Sequence, residues 1–299
     1  MAPKKKTLNE SPKIKKTLNE KNKEDPKIKK TLNPKPKKTV APDKTIAEEP
    51  LPSPLRLRVA PWTVRRWTNG ERCKLAKEGT ELSVKCVPHA QGTDSGTGMF
   101  ATPIGFPADE VTVSYEVYFP DDFTWVKGGK VGFGIGIGDG LETASGGDWK
   151  KTAGSIRTMW REDGQAIGYT YLPLEGAKRD DVIRAQSVAF ERAARGATGK
   201  GTGINMWHKD EPKPLRFKKG AWNTVTISAK LNAPRKANGT YALTVNGATK
   251  SLDDVAFRKS ADIRFNGVMM STFFGGSTLD WACKTPQTIT FKNLTVHTK

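Results

Sequence analysis

The sequence predicts an all-β protein, an antiparallel β-jelly roll or concave β-sandwich, with a disordered basic tail before it. From about residue 58 onward, short segments alternate apolar and polar residues and are separated by Gly, Pro, Asn and Asp. Only residues 180–195 have a helical pattern. The predicted domains are a tail at 1–49, a Pro-rich linker at 50–57 and the jelly-roll domain at 58–299.

The tail is repetitive and strongly basic. PKIKKTLN occurs at 12–19 and again at 26–33, and residues 1–49 hold 15 Lys and 7 acidic residues. Because almost no apolar side chain is available for burial, nothing offsets the chain entropy, and we predict disorder. Both a solvated tether and an electrostatic arm, which contacts nucleic acid or an acidic cell wall, fit this composition.

The rest of the chain is basic as well. The net charge is +19 and the tail contributes +8, so the remaining residues carry +11. A basic folded domain favours a polyanionic partner. The three cysteines, Cys73, Cys86 and Cys283, match no zinc spacing and form no even disulfide framework. No apolar run predicts a signal peptide or a membrane span, and we expect a monomer without membrane contact.

Among the strands, the segment 111–119 has the clearest alternation. Its apolar face carries Val111, Val113, Tyr115, Val117 and Phe119. Segments with the same rhythm predict further strands at 224–231, 241–247, 268–276 and 288–296.

The segment KGGKVGFGIGIG, residues 127–138, has an unusual alternation of apolar residues with glycines. From Lys130 onward, the pattern predicts one apolar face and one face of bare backbone led by the lysine. Glycine weakens a strand, but it lets a ligand come close to the backbone. We therefore expect Lys130 at the edge of an open groove.

Other features that suggest cofactors do not meet their motifs. GFGIGIG (132–138) is not G-x-G-x-x-G, and GATGKGTG (196–203) lacks the P-loop spacing. The histidines at 89, 208 and 297 are scattered, without partners at ligand spacing. We expect neither a metal nor a cofactor.

The segment GSIRTMWREDGQAIGYTYLP, residues 154–173, reads as a β-hairpin with paired polar residues. Ser155 and Arg157 lie two apart on the first strand, and Tyr169 and Tyr171 lie two apart on the second. Within a strand, residues two apart share a face. Whether the two pairs share one face depends on the turn.

Two turns are compatible with this hairpin. A two-residue turn at Asp163-Gly164 places the tyrosines on the face away from Arg157. A three-residue loop, Glu162–Gly164 with a left-handed glycine, pairs Arg157 with Tyr169 and brings all four side chains together. Glycine in the third loop position favours the second register.

A lysine, an arginine and two tyrosines on one groove suit β-elimination in a uronate polymer. The proton at C5 becomes removable when a cation neutralises the adjacent carboxylate, and arginine does so with a bidentate fork. A lysine or tyrosine of shifted pKa can take that proton, and a tyrosine can give one to the departing O4.

Several motifs resemble the alginate lyase-like polysaccharide lyases of family 14, in particular the type found in large viruses of green algae. They are S-x-R followed by Y-x-Y twelve residues after the arginine, YEVYFPDDFTWVKGGK (115–130) and MSTFFGGS (270–277), and the resemblance covers roughly 60–299. It implies a β-jelly roll whose concave face carries the catalytic residues Lys130, Ser155, Arg157, Tyr169 and Tyr171. Lys127 is the alternative catalytic lysine, but the alternation favours Lys130.

We predict substrate-binding roles for Lys127, Tyr118, Trp160 and His208. The expected partner is an acidic polysaccharide such as polyglucuronate or alginate, and the family analogy predicts a virion-borne enzyme that digests a host cell wall. Two other functions remain open at this point. One is a non-catalytic β-sandwich that binds acidic glycans, and the other is a basic-tailed protein associated with a virion or with DNA.

Overall fold

The computed structural model describes residues 62–76, 79–147, 149–173, 179–194, 203–208 and 211–299. The predicted tail and linker, residues 1–57, lie outside the described residues, as does most of the segment 196–203. What the structure describes is almost entirely β, as the alternating segments predict.

The described part of the chain contains fifteen strands and two short α-helices. The strands are β1 (Trp62–Thr68), β2 (Cys73–Ala76), β3 (Glu81–Cys86), β4 (Thr97–Pro103), β5 (Glu110–Tyr118), β6 (Gly128–Gly138), β7 (Ala153–Arg161), β8 (Gln165–Tyr171), β9 (Ile204–Met206), β10 (Leu215–Arg216), β11 (Trp222–Lys230), β12 (Gly239–Val245), β13 (Ala248–Val255), β14 (Arg264–Phe274) and β15 (Gln287–Thr298). The helices are α1 (Arg179–Arg184) and α2 (Val188–Ala193). The helical pattern at 180–195 thus forms two short helices.

The strands form two antiparallel sheets that pack face to face. The first has the order β1-β4-β14-β6-β7-β8-β10, with β9 paired to β8, and the second has the order β13-β12-β11-β5-β15-β3-β2. The hydrophobic core lies between them. This arrangement confirms the predicted β-sandwich.

Strand β5 shows how the sequence produces this core. Val111, Val113, Tyr115 and Val117 are buried against the first sheet, whereas the residues between them are only half-buried. Each fully buried side chain of this size contributes roughly 1.5–3 kcal/mol of hydrophobic free energy. The Tyr115 hydroxyl, which burial would otherwise penalise, donates to the Val131 carbonyl at 3.0 Å.

The glycines of β6 do not form the open floor that their alternation predicts, because every residue of this strand is buried. A Cβ on Gly132 would strike the ring of Tyr115 in the core, and Gly132 has a φ of 73°. A Cβ on Gly134 would lie 2.8 Å from Cγ of Arg157. These glycines therefore make room for the protein's own side chains, and the stem of Arg157 packs against Gly134.

Candidate active site

The hairpin of β7 and β8 has the three-residue loop. Ser155 pairs with Tyr171, and Arg157 pairs with Tyr169. The loop residues Asp163 and Gly164 both have left-handed φ values, 56° and 71°. This confirms the predicted register. The predicted loop requires a left-handed conformation only at Gly164, and Asp163 is left-handed as well. The four polar residues consequently lie on one face, away from the core.

A cleft of about 1020 Å³ covers this face of the eight-stranded sheet. Its floor comes from the sheet's strands, and its rim comes from loop residues near 91–94, 145–147 and 276–281. The charged side chains in its lining are Arg66, Lys130, Arg157, Arg161 and Asp94. Three arginines against one carboxylate make the cleft attractive to a polyanion, whatever the protonation state of Lys130.

Arg157 lies at the floor of the cleft with an incompletely satisfied guanidinium group. It is 3% exposed, and its Nε and Nη2 atoms have no hydrogen-bond partner. Its guanidinium carbon lies 5.5 Å from the ring centre of Tyr169 and 5.3 Å from that of Tyr171. Burial lowers the Arg157 pKa, but an arginine retains its charge. This unpaired fork fits a carboxylate in bidentate geometry.

Lys130 is the second buried basic side chain of the cleft. Its Nζ lies 4.6 Å from the ring centre of Tyr169 and 5.1 Å from that of Phe273, and none of the ion pairs among the described residues includes it. Burial holds the Lys130 pKa well below its ordinary value, and the charges of Arg157 and Arg161 lower it further. Lys130 can therefore be a neutral amine, which accepts a proton.

Tyr169 and Tyr171, the tyrosine pair, are joined through their hydroxyls at 3.2 Å. The Tyr171 oxygen also accepts a hydrogen bond of 2.9 Å from the Gly147 backbone N–H. Burial, followed by the proximity of Tyr171, raises the Tyr169 pKa. Tyr169 consequently retains its proton and is suited to donate one.

Ser155 lies on the same face as Arg157 but is absent from the lining of the cleft. It is 0% exposed, and its hydroxyl donates to the Ala144 carbonyl at 2.8 Å. The segment it holds continues to Gly147, whose N–H meets Tyr171. The geometry thus gives Ser155 a positioning contact, and its catalytic role stays a prediction.

Two of the predicted substrate-binding residues lie in or under the sheets. Trp160 is 0% exposed on the core face of β7, and its indole N–H donates to the Trp125 carbonyl at 2.9 Å. Tyr118 lies on the outer face of the seven-stranded sheet, where its ring packs 5.5 Å from that of Trp222. Neither side chain is part of the cleft lining.

The other two lie outside the cleft lining as well. Lys127 forms an ion pair with Asp280 at the surface. His208 follows β9 and is partly buried, and its carbonyl accepts a hydrogen bond of 2.7 Å from the Gln165 side chain. These positions favour Lys130 over Lys127 as the lysine that meets substrate.

Several cleft residues were not predicted from the sequence. Arg161 follows Arg157 by four residues, so strand alternation alone places it on the same face. Trp281, Asn205 and Arg66 come from a distant loop and from strands β9 and β1, and no local pattern assigns them to the cleft. Their position depends on the strand order of the whole sheet.

The described residues contain neither a metal-ligand cluster nor a membrane-spanning helix. In the part of the chain that the structure describes, no three His, Cys, Asp or Glu side chains gather where they could hold a metal ion. None of the helices in those same ranges has the length and apolar character that spanning a membrane requires.

Comparison with known proteins shows clear similarities. The sequence model of polysaccharide lyase 14 matches residues 81–294. Exolysin of Paramecium bursaria Chlorella virus 1 is 25% identical in an alignment of 236 positions that covers 74% of this chain and 34% of that protein. The chain therefore spans about a third of the length of this curated relative.

Two solved structures are similar in fold. Alginate lyase vAL-1 from Chlorella virus is 25% identical with a TM-score of 0.63, and the match covers 80% of this chain and 93% of that one. The PL-14 alginate lyase from Aplysia kurodai is 23% identical with a TM-score of 0.66, over 79% of this chain and 90% of that one.

Proposed function

Because the chain belongs to the polysaccharide lyase 14 family, we propose that it cleaves a uronate-containing polysaccharide, such as polyglucuronate or alginate, by β-elimination. The observation that carries this proposal is the buried guanidinium of Arg157, which has unpaired donors and lies beside the low-pKa amine of Lys130. A bound uronate carboxylate would accept hydrogen bonds from the Arg157 guanidinium, and the adjacent C5–H would then face the Lys130 amine.

The proposed reaction begins with the uronate carboxylate on Arg157. The guanidinium stabilises the negative charge that develops on the carboxylate as C5 loses its proton. The neutral Lys130 amine accepts that proton, and the C5–H electron pair forms the C4–C5 double bond. The C4–O4 bond then breaks, and O4 takes a proton from the tyrosine pair.

The protonation states support this division of roles. The Lys130 pKa is lowered, so the amine loses its proton more easily than a free lysine does. The Tyr169 pKa is raised, so the phenol keeps its proton. The pair of shifts favours Lys130 as the base and the tyrosine pair as the acid, because their environments move the two pKa values apart.

We place this activity at an algal cell wall. The similarity to a viral Exolysin and to a viral alginate lyase supports a virion-borne enzyme that attacks the wall of its host. The basic tail, residues 1–49, would then hold the enzyme on an acidic wall by electrostatic attraction.

The decisive experiment is incubation of the full chain with polyglucuronate and with alginate. A lyase generates an unsaturated sugar end that absorbs in the near-ultraviolet, and Lys130→Met should abolish this signal. A non-catalytic glycan-binding sandwich would bind the same polymers and leave them intact. Binding without a new absorbance on any polyuronate would overturn the lyase proposal.

A further inference from the structure

Arg161 forms a second buried cation site at the end of β7. It is 8% exposed, and its Nη2 donates to the Asn205 side-chain oxygen at 2.6 Å. Its guanidinium carbon lies 5.5 Å from the ring centre of Trp281. Its Nε atom is buried without a hydrogen-bond partner. We call Arg161, Asn205 and Trp281 the Arg161 subsite.

No carboxylate forms an ion pair with Arg161 among the described residues, although Glu162 lies near enough to favour its charged form. Asp280 is next to Trp281 in sequence, but Lys127 and Thr278 engage its two carboxylate oxygens. A buried cation without an ion-pair partner is unfavourable unless something else supplies the negative charge.

The local backbone is shaped around these side chains. A Cβ on Gly128 would lie 2.5 Å from the Trp160 carbonyl oxygen and 3.2 Å from Cδ of Arg161, so glycine lets β6 approach β7 and the stem of Arg161 closely. A Cβ on Gly276, which has a φ of 141°, would strike the ring of Trp281. Glycine at both positions therefore permits the stacked arrangement of the arginine and the tryptophan.

Arg161 and Arg157 contact different aromatic rings. They lie on the same face of β7, four residues and so about 13 Å apart along the strand. The Arg157 guanidinium stacks on the tyrosine pair, whereas that of Arg161 stacks on Trp281. One carboxylate held by Arg157 next to Lys130 leaves the Arg161 subsite vacant for another.

We propose that the Arg161 subsite binds the carboxylate of a second uronate residue, one that flanks the linkage being cleaved. The inference rests on the proposed function and adds a substrate preference to it. A polymer with uronates in succession should be a better substrate than one in which neutral sugars surround each uronate, because the latter leaves Arg161 unpaired.

Calorimetric binding of a tetrameric uronate oligosaccharide tests the subsite. Lys130→Ala in the full chain prevents turnover, and Arg161→Gln is then added to it. Loss of a charged hydrogen bond should weaken binding roughly 10- to 100-fold. Arg184→Gln is the matched control, since it removes the same charge from an exposed position on α1, and it should leave the affinity unchanged.

Kinetics with homopolymeric uronate separate binding from chemistry. Arg161→Gln should raise KM while kcat on the alkaline plateau stays within about twofold, and Arg161→Lys should recover only part of the loss because it lacks the fork. Trp281→Leu should weaken binding less than Arg161→Gln does. Circular dichroism confirms that the variants are folded.

The outcomes distinguish this inference from the proposed function. An active parent whose Arg161→Gln variant keeps the KM for homopolymer and the affinity for the tetramer would overturn the subsite and leave the lyase proposal intact. A parent that cleaves no polyuronate would overturn the proposed function, and the inference with it. An equal loss of affinity in Arg184→Gln would show that the Arg161→Gln effect comes from the overall charge of the protein, and it would overturn the subsite.

Discussion

Burial of the Arg157 guanidinium costs folding free energy, and this penalty indicates that the group is kept for an anionic ligand. Burial without hydrogen-bond partners for Nε and Nη2 penalises the folded protein. The two tyrosine rings offset part of this penalty through cation–π contact. A carboxylate ligand would remove the rest, so the protein pre-organises this group for an anion instead of pairing it internally.

Replacement of Arg157 tests this interpretation. Arg157→Gln should lower kcat/KM by about 10³-fold or more, because the charge that forms on the carboxylate loses its stabilising partner. Arg157→Lys keeps the charge and loses the fork, so we expect an intermediate activity. Steady-state rates of near-ultraviolet absorbance measure both. Equal activities of the glutamine variant and the parent would contradict the role of Arg157.

The pH dependence follows from the directions of two pKa shifts. A base must be deprotonated, so activity should rise with pH through the Lys130 pKa, which lies below that of an ordinary lysine. The acid must be protonated, and the raised Tyr169 pKa delays the decline beyond the ordinary tyrosine value of about 10. A kcat profile from acid to alkaline pH should therefore rise to a broad plateau. A profile that falls with pH through the neutral range would contradict Lys130 as the base.

At the scale of strands and loops, the alternation of residue types predicts which face of a strand a side chain occupies, but not which sheet that strand joins. It placed Arg157 and Ser155 on one face and Trp160 on the other, and the structure agrees. The register between strands depended on one loop, and glycine in its third position favoured the observed pairing. Tyr118 lies outside the cleft because its strand, β5, belongs to the seven-stranded sheet. Alternation identifies the outward face of a strand but not the sheet that the strand joins.

Strand β6 provides a prediction at this scale. In Gly134→Ala, the new Cβ would strike the Ile156 carbonyl and lie 2.8 Å from Arg157 Cγ. Because backbone must move, we expect a loss of roughly 1–3 kcal/mol in stability, together with a large loss of activity from a displaced Arg157. Thermal unfolding and turnover measure the two effects.

Gly247→Ala is the control for this substitution. Gly247 has a φ of 81°, lies in the turn between β12 and β13, and has nothing within 4 Å of its Cβ position. Its replacement adds backbone strain far from Arg157 and should reduce stability while leaving turnover unchanged. An equal loss of activity in both variants would attribute the Gly134 effect to stability alone.

The segment from Ala144 to Gly147, in the loop between β6 and β7, connects Ser155 with the tyrosine pair. Ser155→Ala would leave the Ala144 carbonyl without its hydroxyl donor, at a cost of about 1–3 kcal/mol. Turnover should fall as well, because the Gly147 N–H no longer holds Tyr171 in place. Ser155→Cys, which keeps a weak donor, should be milder in both measurements. Full turnover in the alanine variant would contradict this coupling.

For the whole molecule, the β-sandwich places the residues of the hydrophobic core and those of the cleft on different faces of its sheets. The seven-stranded sheet and the inner face of the eight-stranded sheet supply the apolar core, and the outer face of the eight-stranded sheet carries the cleft. The first half of this division follows from the sequence, since apolar residues at every second position identify the core. The set of cleft residues depends on bringing β1, β7, β9 and the loop of Trp281 together, and only the folded chain does so.

Charge acts at the scale of the whole molecule, and salt should therefore control substrate capture. The chain carries +19, of which +11 lies outside the tail, and the cleft lining holds three arginines, one lysine and one carboxylate. Between about 0.01 M and 0.1 M salt, the Debye length falls from about 30 Å to about 10 Å, so long-range attraction of a polyuronate should weaken. We expect KM for the polymer to rise several-fold over this range while kcat changes little, because the buried contacts of Arg157 are screened less than exposed ones.

A short uronate oligosaccharide, which carries fewer charges, should show a shallower dependence of KM on salt. Removal of residues 1–49 should reduce the salt dependence and not abolish it, since the domain retains its own excess charge. A KM that does not respond to salt would show that general charge has no part in binding and would assign recognition to the buried arginines alone.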